Sequence, residues 1–343
     1  MNKKSGKVTM NDIALKLGVK ESTVSKALRR CSDINRETAE LIRKTAIEMG
    51  YDARRLNFGV TRFAAVGVVF SELNSEYYFG MFDSFRREMT AAGYRVITAV
   101  TDFSDADAIT DSVEYFVRLN VSGLYVLSEV DFDAARVREL LEKRHIPSVF
   151  VTSMTDLDFC DSVNINHAIG VNLPLQRLIS LGHERIAFIG DVYTVMREKA
   201  FRQTMEARFG GIREEFVAIS AERFAEGGYS AAAKLLDLPK CDRPTAILAA
   251  YDALAFGVYR AASERGIKIP EELSVASIDD NQASACVSPG LTSVRVSSEE
   301  IGIRAAELIS SRINGDESPF NTILLTPTLV ERGSVAPPEE QKK

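Results

Sequence analysis

The polar face of one short helix carries the side chains with the clearest chemistry. In the segment VTMNDIALKLGVKESTVSKAL, from Val8 to Leu28, a helix beginning near Glu21 puts Val24 and Leu28 four residues apart on one apolar side. The opposite side carries charged and hydroxyl groups, namely Lys20, Glu21, Ser22, Ser25, Lys26 and Arg29. Such groups can hydrogen-bond base edges and phosphates, so this face suits the major groove of DNA.

A preceding helix is needed to position that face. Thr9 and Asp12 form a capping-box pattern at its start, and Ile13, Ala14 and Leu17 fall on one side of it. Gly18 supplies the turn before the second helix. The layout is that of a helix-turn-helix, although two amphipathic helices joined by a glycine also occur in helical domains that bind no DNA.

Charge is segregated along the chain in a way that favours the DNA interpretation. Up to Arg62 there are fourteen Lys and Arg residues against seven Asp and Glu residues, a net charge of +7. Because the whole chain carries -6, the remainder carries -13. A basic head on an acidic body directs only one end of a protein toward phosphate.

Residue patterns for catalysis are missing from the sequence. There is no phosphate-binding glycine motif, no His-Glu-x-x-His and no Gly-x-Ser-x-Gly. His145, His167 and His183 lie at no metal-ligand spacing from a cysteine or from one another, and Asp279 and Asp280 are adjacent rather than opposed. We therefore expect no enzymatic activity, no metal and no cofactor.

Composition and cysteine usage point to a protein of the cytoplasm. The 343 residues are 45% hydrophobic and 26% charged, with no apolar run long enough for a membrane span. The opening residues MNKKSGK are not followed by the apolar region of a secretory signal. The four cysteines are scattered and suit reduced thiols.

The residue pattern divides the chain into three segments that differ in predicted secondary structure. A third helix, capped by Asn35, completes a head over residues 1–50, and a basic, weakly patterned linker covers 51–63. From Ala64 onward strands and helices alternate in two series, with no strand predicted between residues 152 and 167 and a helix predicted over 228–236. This α/β pattern predicts a body, 64–343, of two doubly wound parallel-sheet subdomains. We place the first at about 64–165 plus 297–321, and the second at about 166–296 plus 322–343.

Several segments together resemble the lactose-repressor (LacI/GalR) family of bacterial transcription regulators. They are the head segment above, INRETAELIRKTAIEMGY, SLGHERIAFIGD, PTAILAAYDALAFGVYRAASERGIKIPEELSVASIDD, PGLTSVRV and LVERGS. The resemblance runs nearly end to end. It implies a three-helix DNA-binding head, a ligand domain similar to periplasmic sugar-binding proteins, and a homodimer.

The resemblance also assigns DNA contacts by position. Glu21, Ser22 and Lys26 would meet base edges, and Lys26 stands where arginine is usual, which loses the bidentate fork suited to guanine. Phosphate or minor-groove contacts would come from Thr9, Lys20, Thr23, Ser25, Arg29, Arg54, Arg55 and Val60. Asn57 and Gly59 in the linker weaken the hinge helix that the family forms on DNA.

The same comparison selects residues for an effector cleft between the subdomains. They are Ser71, Tyr77, Tyr78, Arg197, Tyr229, Tyr251 and Asp279. Arginine and aspartate opposed across a cleft, with flat aromatic walls, suit the hydroxyls and CH faces of a saccharide.

The sequence thus predicts a cytoplasmic, homodimeric repressor whose affinity for double-stranded operator DNA is controlled by a small molecule, best matched by a sugar. Two alternatives stay open. One is a co-repressed regulator that responds to a purine or a phosphoprotein, and the other is a pure sugar-binding protein. An α/β enzyme is a third, weaker alternative, because the fold class also supports catalysis.

Overall fold

The computed structural model describes residues 8–28, 34–49, 51, 63–72, 74–102, 105, 107–128, 130–152 and 157–339. The head contains three helices, α1 (Met10–Leu17), α2 (Glu21–Leu28) and α3 (Arg36–Glu48). They enclose a small core in which Ile13, Val24 and Ile42 are almost fully buried. Of the predicted linker, residues 52–62 lie outside the described residues, and so do Arg29, Arg54, Arg55 and Val60.

The body contains two six-stranded sheets flanked by helices. Elements up to residue 165 are β1 (Phe63–Phe70), α4 (Glu76–Ala91), β2 (Arg95–Val100), α5 (Ala108–Leu119), β3 (Val121–Leu127), α6 (Ala134–Arg144), β4 (Ser148–Val151) and β5 (Asp161–Ile165). The remaining elements are α7 (His167–Ser180), β6 (Ile186–Asp191), α8 (Val195–Phe209), β7 (Val217–Ser220), α9 (Phe224–Leu236), β8 (Ala246–Ala249), α10 (Asp252–Glu264), β9 (Ser274–Asp279), β10 (Thr292–Arg295), α11 (Ser298–Ile313), β11 (Thr322–Leu325) and β12 (Thr328–Val330).

Strand order divides the body into two lobes. The first lobe is built on the sheet β11-β5-β4-β3-β1-β2, and the second on β12-β10-β9-β8-β6-β7. All strand pairs are parallel except β10 with β12. Small and β-branched residues in β1 and β3 are buried on both faces, as a parallel sheet covered by helices requires. The predicted doubly wound α/β body is confirmed.

The predicted subdomain boundary near residue 321 is wrong. β11 pairs with β5, through Thr322 with Ser162 and Leu325 with Ile165, so residues 322–325 belong to the first lobe. The chain makes its last crossing at 326–327, before β12 pairs with β10 in the second lobe. The hydrophobic pattern of β11 predicts a strand but not the strand with which it pairs, so it cannot predict the lobe to which β11 belongs.

Two strands are additional to the prediction. β5 begins with Asp161, whose carboxylate lies 2.8 and 2.9 Å from the Arg312 guanidinium. This buried ion pair allows a charged residue at the start of an interior strand. β12 has three residues, too few for a periodic signal.

Candidate functional site

The head presents its polar helix face to solvent on a well-capped scaffold. The Thr9 hydroxyl accepts a hydrogen bond from the Asp12 amide at 3.3 Å, and the Asp12 carboxylate accepts one from the Thr9 amide at 2.7 Å. These bonds form the predicted capping box. Gly18 ends α1 with φ at 64°, a conformation that favours glycine.

The residues of α2 divide as the pattern predicts. Val24, Ala27 and Leu28 are buried. Of the predicted DNA contacts, Lys20, Glu21, Ser22 and Lys26 are exposed, as is Thr9, while Thr23 and Ser25 are half-buried. The exposed members lie on the surface of the head, and their contact with DNA stays a prediction.

A cavity of about 590 Å³ lies between the two lobes. It is found where the parallel strands of both sheets end, the place at which α/β sheets bind ligands. Its lining consists of Ser75, Tyr77, Tyr78, His167, Asp191, Tyr193, Thr194, Met196, Arg197, Arg223, Phe224, Tyr251 and Asp279. Five of these thirteen side chains are aromatic and four are charged, so the cavity can combine stacking with hydrogen bonding.

Arg197 and Asp279 form a buried pair in the second lobe. The guanidinium lies 3.3 Å from the Asp279 carboxylate and also donates to the Ala250 carbonyl. Both residues come from the same lobe, so the expectation that they oppose each other across the cleft is wrong. Burial raises the pKa of Asp279 to about 7, against the lowering effect of Arg197.

The backbone at the end of β9 holds Asp279 in an uncommon conformation. Asp279 and Asp280 have φ angles of 115° and 55°, where non-glycine residues are rare. The Asp280 carboxylate is fixed by Arg332 at 2.6 Å and Arg295 at 2.8 Å. Such a strained turn persists when its surroundings hold it, and it aims the Asp279 side chain at the cavity.

Asp252 supplies much of that support from the start of α10. Its buried carboxylate accepts hydrogen bonds from Ser284 and Asn281 at 2.6 Å, Ser293 at 2.5 Å, and Ser277. Burial raises the pKa of Asp252 in spite of these donors. The network links β9, β10 and the turn after β9. It therefore holds in place the side of the cavity that the second lobe forms.

A second charged cluster lies beside the first. Tyr251 donates to the Asp191 carboxylate at 2.6 Å and accepts from the Phe224 amide at 3.0 Å. Arg223 lies 3.6 Å from the same carboxylate, with its guanidinium 5.1 Å from the ring centroids of both Tyr193 and Phe224. Burial next to Asp191 raises the pKa of Tyr251.

Among the described residues, two polar contacts cross between the lobes at this cleft. Arg223 of the second lobe lies 3.1 Å from the Glu72 carboxylate, which follows β1 of the first lobe. The Gln282 amide donates to Glu76 of α4 at 3.0 Å. Burial raises the pKa of Glu72, since its desolvation outweighs the attraction of Arg223. The structure therefore shows the two walls in direct polar contact.

The structure brings five of the seven predicted effector residues to the cavity: Tyr77, Tyr78, Arg197, Tyr251 and Asp279. Ser71 does not line it, and its hydroxyl instead accepts a hydrogen bond from Thr101 at 3.0 Å. Tyr229 does not line it either. Its hydroxyl donates to Glu264 at 2.6 Å, and Arg260 lies 4.4 Å over its ring.

The error at Tyr229 has a local cause. The sequence predicts a helix from residue 228, whereas α9 begins at Phe224. The aromatic side chain at the cavity end of this helix is consequently Phe224, and Tyr229 falls further along on the face that packs toward α10. Position relative to a helix start, rather than residue type, decides which aromatic side chain reaches the cleft.

Sequence reasoning missed eight lining residues, namely Ser75, His167, Asp191, Tyr193, Thr194, Met196, Arg223 and Phe224. Asp191 ends β6, and Arg223 lies in the loop between β7 and α9. The available signal was their place at the carboxyl ends of parallel strands. Among the described residues there is no cluster of side chains suited to a metal ion and no helix long and apolar enough to cross a membrane.

Comparisons with known proteins agree with this architecture. A periplasmic binding protein-like domain model matches residues 175–335. The chain is 29% identical over 339 residues to the HTH-type transcriptional regulator DegA of Bacillus subtilis, covering 96% of this chain and 99% of the relative. It is 26% identical to the ribose operon repressor of Escherichia coli, covering 95% and 99%. The structure of a lac repressor dimer bound to operator and the anti-inducer ONPF superposes with a TM-score of 0.72 at 22% identity, covering 96% and 100%.

A helix-turn-helix head joined to a two-lobed body with a cleft defines a transcription regulator with a ligand-binding domain. Matches over nearly the full length of both chains make the assignment specific. Over nearly its whole length the chain is similar to regulators of the LacI/GalR family.

Proposed function

We propose that this protein is a sequence-specific repressor whose affinity for operator DNA is set by a saccharide bound between the lobes. The observation that carries the proposal is the pairing, in one chain, of an exposed polar recognition helix with a cavity lined by aromatic and hydrogen-bonding groups. The relatives support it, since they are named as a transcriptional regulator and a ribose operon repressor.

On the DNA side, α2 enters the major groove. Glu21, Ser22 and Lys26 contact base edges, and the neighbouring polar residues Thr9, Lys20, Thr23 and Ser25 contact the backbone. Arg29, Arg54, Arg55 and Val60, which lie outside the described residues, are further phosphate or minor-groove contacts in this proposal. Two heads in a homodimer read a pseudo-palindromic site.

On the effector side, the aromatic rings pack against the CH faces of a sugar and the Arg197–Asp279 pair hydrogen-bonds its hydroxyls. The effector changes DNA affinity only by binding the two lobe arrangements unequally, so a hundredfold change requires about 2.7 kcal/mol of coupling. We place the protein in the cytoplasm, with operator DNA, and assign it no enzymatic activity.

The test combines DNA selection with ligand binding. Purified full-length protein should enrich one pseudo-palindrome from random duplexes, and a sugar that raises its melting temperature should change its affinity for that duplex. Weaker DNA binding with the sugar means induction, and tighter binding means co-repression. Failure to enrich any sequence would overturn the proposal.

The matched variants are Lys26→Ala in α2 and Lys143→Ala on the exposed end of α6 in the body. Lys26→Ala should reduce the ratio of affinities for the selected and the random duplex by about 5- to 150-fold. This is the discrimination that one base-edge contact provides. Lys143→Ala should leave discrimination as it is. Equal discrimination by both variants would refute the role assigned to Lys26.

A further inference from the structure

His167 lines the cavity without pairing to a charged group, unlike Arg197 and Arg223, which each lie beside a carboxylate. It is the first residue of α7, directly after the crossing from the first lobe, and Asn166 fixes this helix start by accepting a hydrogen bond from the Ile169 amide at 3.1 Å. The imidazole lines the cavity. Its Nδ1 is buried and has no hydrogen-bond partner among the described residues.

Leaving such a nitrogen without a partner is unfavourable. A buried polar atom that loses its hydrogen bond costs about 1–3 kcal/mol. The neighbouring polar groups already have protein partners: Arg197 contacts Asp279, and Tyr251 contacts Asp191. A molecule bound in the cavity can supply the hydrogen-bond partner that the described residues do not.

The charges around the cavity decide what kind of ligand this can be. Each lining arginine is next to a carboxylate, Arg197 beside Asp279 and Arg223 beside Asp191, and Glu72 adds a further carboxylate to Arg223. Burial and the nearby Arg197 lower the pKa of His167 to about 3, so its ring is neutral at pH 7. With Asp279 only partly ionised at pH 7, the carboxylates of Asp191 and Glu72 still offset the two arginines, so the lining offers no excess positive charge to an anion.

We propose that His167 is a specificity-determining contact, whose Nδ1 hydrogen-bonds an uncharged polar group of the effector and so selects neutral ligands over their acidic derivatives. The inference rests on the proposed effector function of the cleft. A hydroxyl or an amide-type N–H can serve as the partner, because a neutral imidazole nitrogen donates or accepts according to its tautomer.

The first test compares neutral compounds with their anionic counterparts. Full-length protein is melted with D-ribose, cellobiose and adenosine, and with ribose phosphate, cellobionate and adenosine monophosphate. At least one neutral compound should raise the melting temperature, and its anionic counterpart should bind about tenfold or more weakly by calorimetry. Tighter binding of the anionic member of a pair would overturn the inference.

The second test uses variants at this position with the neutral compound that binds. His167→Asn places an amide near the position of Nδ1 and should hold affinity within about threefold. His167→Leu removes the hydrogen bond and should weaken binding by about 10- to 100-fold. As a matched control, His145→Asn, at the exposed end of α6 where φ is 50°, should leave affinity unchanged.

The outcomes separate this inference from the function on which it rests. If the neutral compound binds wild type and the His167→Leu variant equally, His167 is not a contact, while the effector function stands. If no compound of either kind stabilises the wild-type protein, both the neutral-ligand inference and the saccharide effector are overturned. Operator selection, which needs no effector, then shows whether the DNA-binding function survives.

Discussion

The second lobe brings four charged side chains to the cleft, whereas the first lobe brings Ser75, Tyr77 and Tyr78. Arg197 and Asp279 are held by contacts within their own lobe, whereas Arg223 pairs both with Asp191 of its own lobe and with Glu72 of the first lobe. The tyrosines are held by packing, edge to face at 5.6 Å, and by the Ser75 hydroxyl, which accepts a hydrogen bond from the Tyr78 amide at 3.4 Å.

We call Asp191, Arg197, Arg223 and Asp279 the charged wall of the cleft, and Tyr77 and Tyr78 the aromatic wall. The two walls differ in how they can contact an effector. The Arg197–Asp279 pair keeps its geometry when the lobes move, because both residues belong to the second lobe. Aromatic rings stabilise a bound effector through the apolar contact area that they bury, and this area is buried only when the effector lies against the rings. The comparison predicts that the second lobe supplies the fixed polar contacts to the effector and that the first lobe supplies apolar contact area.

The largest effect should come from breaking the charged wall. Arg197→Ala removes the donor to Asp279 and to the Ala250 carbonyl and leaves a buried carboxylate without its cation. Effector affinity should fall more than about a hundredfold by calorimetry. Operator selection should be preserved. The exposed Arg304, which pairs only with its helix neighbours Glu300 and Glu307 in the described chain, provides the control Arg304→Ala.

The aromatic wall should give a smaller loss. Tyr77 is half-buried and packs against the core, so Tyr77→Ala removes stacking area with little effect on the fold. Affinity should fall about tenfold, against no change for Tyr115→Ala on α5, whose side chain is 54% exposed. A loss at Tyr77 as large as that at Arg197 would contradict the unequal division of tasks.

The charged wall was also the part of the site that the sequence predicted least completely. Asp279 lies in a segment that resembles the family and Arg197 was matched to the family by its position at a helix start, and the structure places both at the cavity. Arg223 and Asp191 were missed because they are recognised as a site only through their contacts with each other and with Tyr251, which come from the end of β6 and from the residues before α9 and α10. A contact between loops leaves no periodic signal in any one of them.

Local signals were predicted better than partnerships. The Thr9–Asp12 capping box and the turn at Gly18 are encoded within a few residues, and the structure contains both. The lobe of β11 depends instead on a partner some 160 residues earlier, and the sequence prediction put this strand in the wrong lobe. Patterns thus predict which elements exist, while pairing across long separations requires the structure.

A subtler test alters the support behind the charged wall. Tyr251→Phe removes the hydroxyl that donates to Asp191 and accepts from the Phe224 amide. Losing these buried bonds should destabilise the protein by about 1–2 kcal/mol, measured as a lower denaturant midpoint. Effector affinity should fall only severalfold, since Arg223 remains beside Asp191. Tyr94→Phe, in the first lobe, should change neither quantity.

The smallest expected effect concerns the pH dependence of the empty protein. Burial raises the pKa of Asp279 to about 7, opposed by Arg197 and reinforced by Asp252 and Glu76. A carboxyl group whose pKa is raised by folding favours the folded state at low pH, and this contribution is lost as pH rises from about 4 to 7. Asp279→Asn removes the titration, so the melting temperature of the variant relative to wild type should increase by about 2–4 °C between pH 4.5 and pH 8. A difference that stays constant with pH would show that Asp279 is already ionised in the closed cleft, and the charged wall would then carry its full charge before the effector arrives.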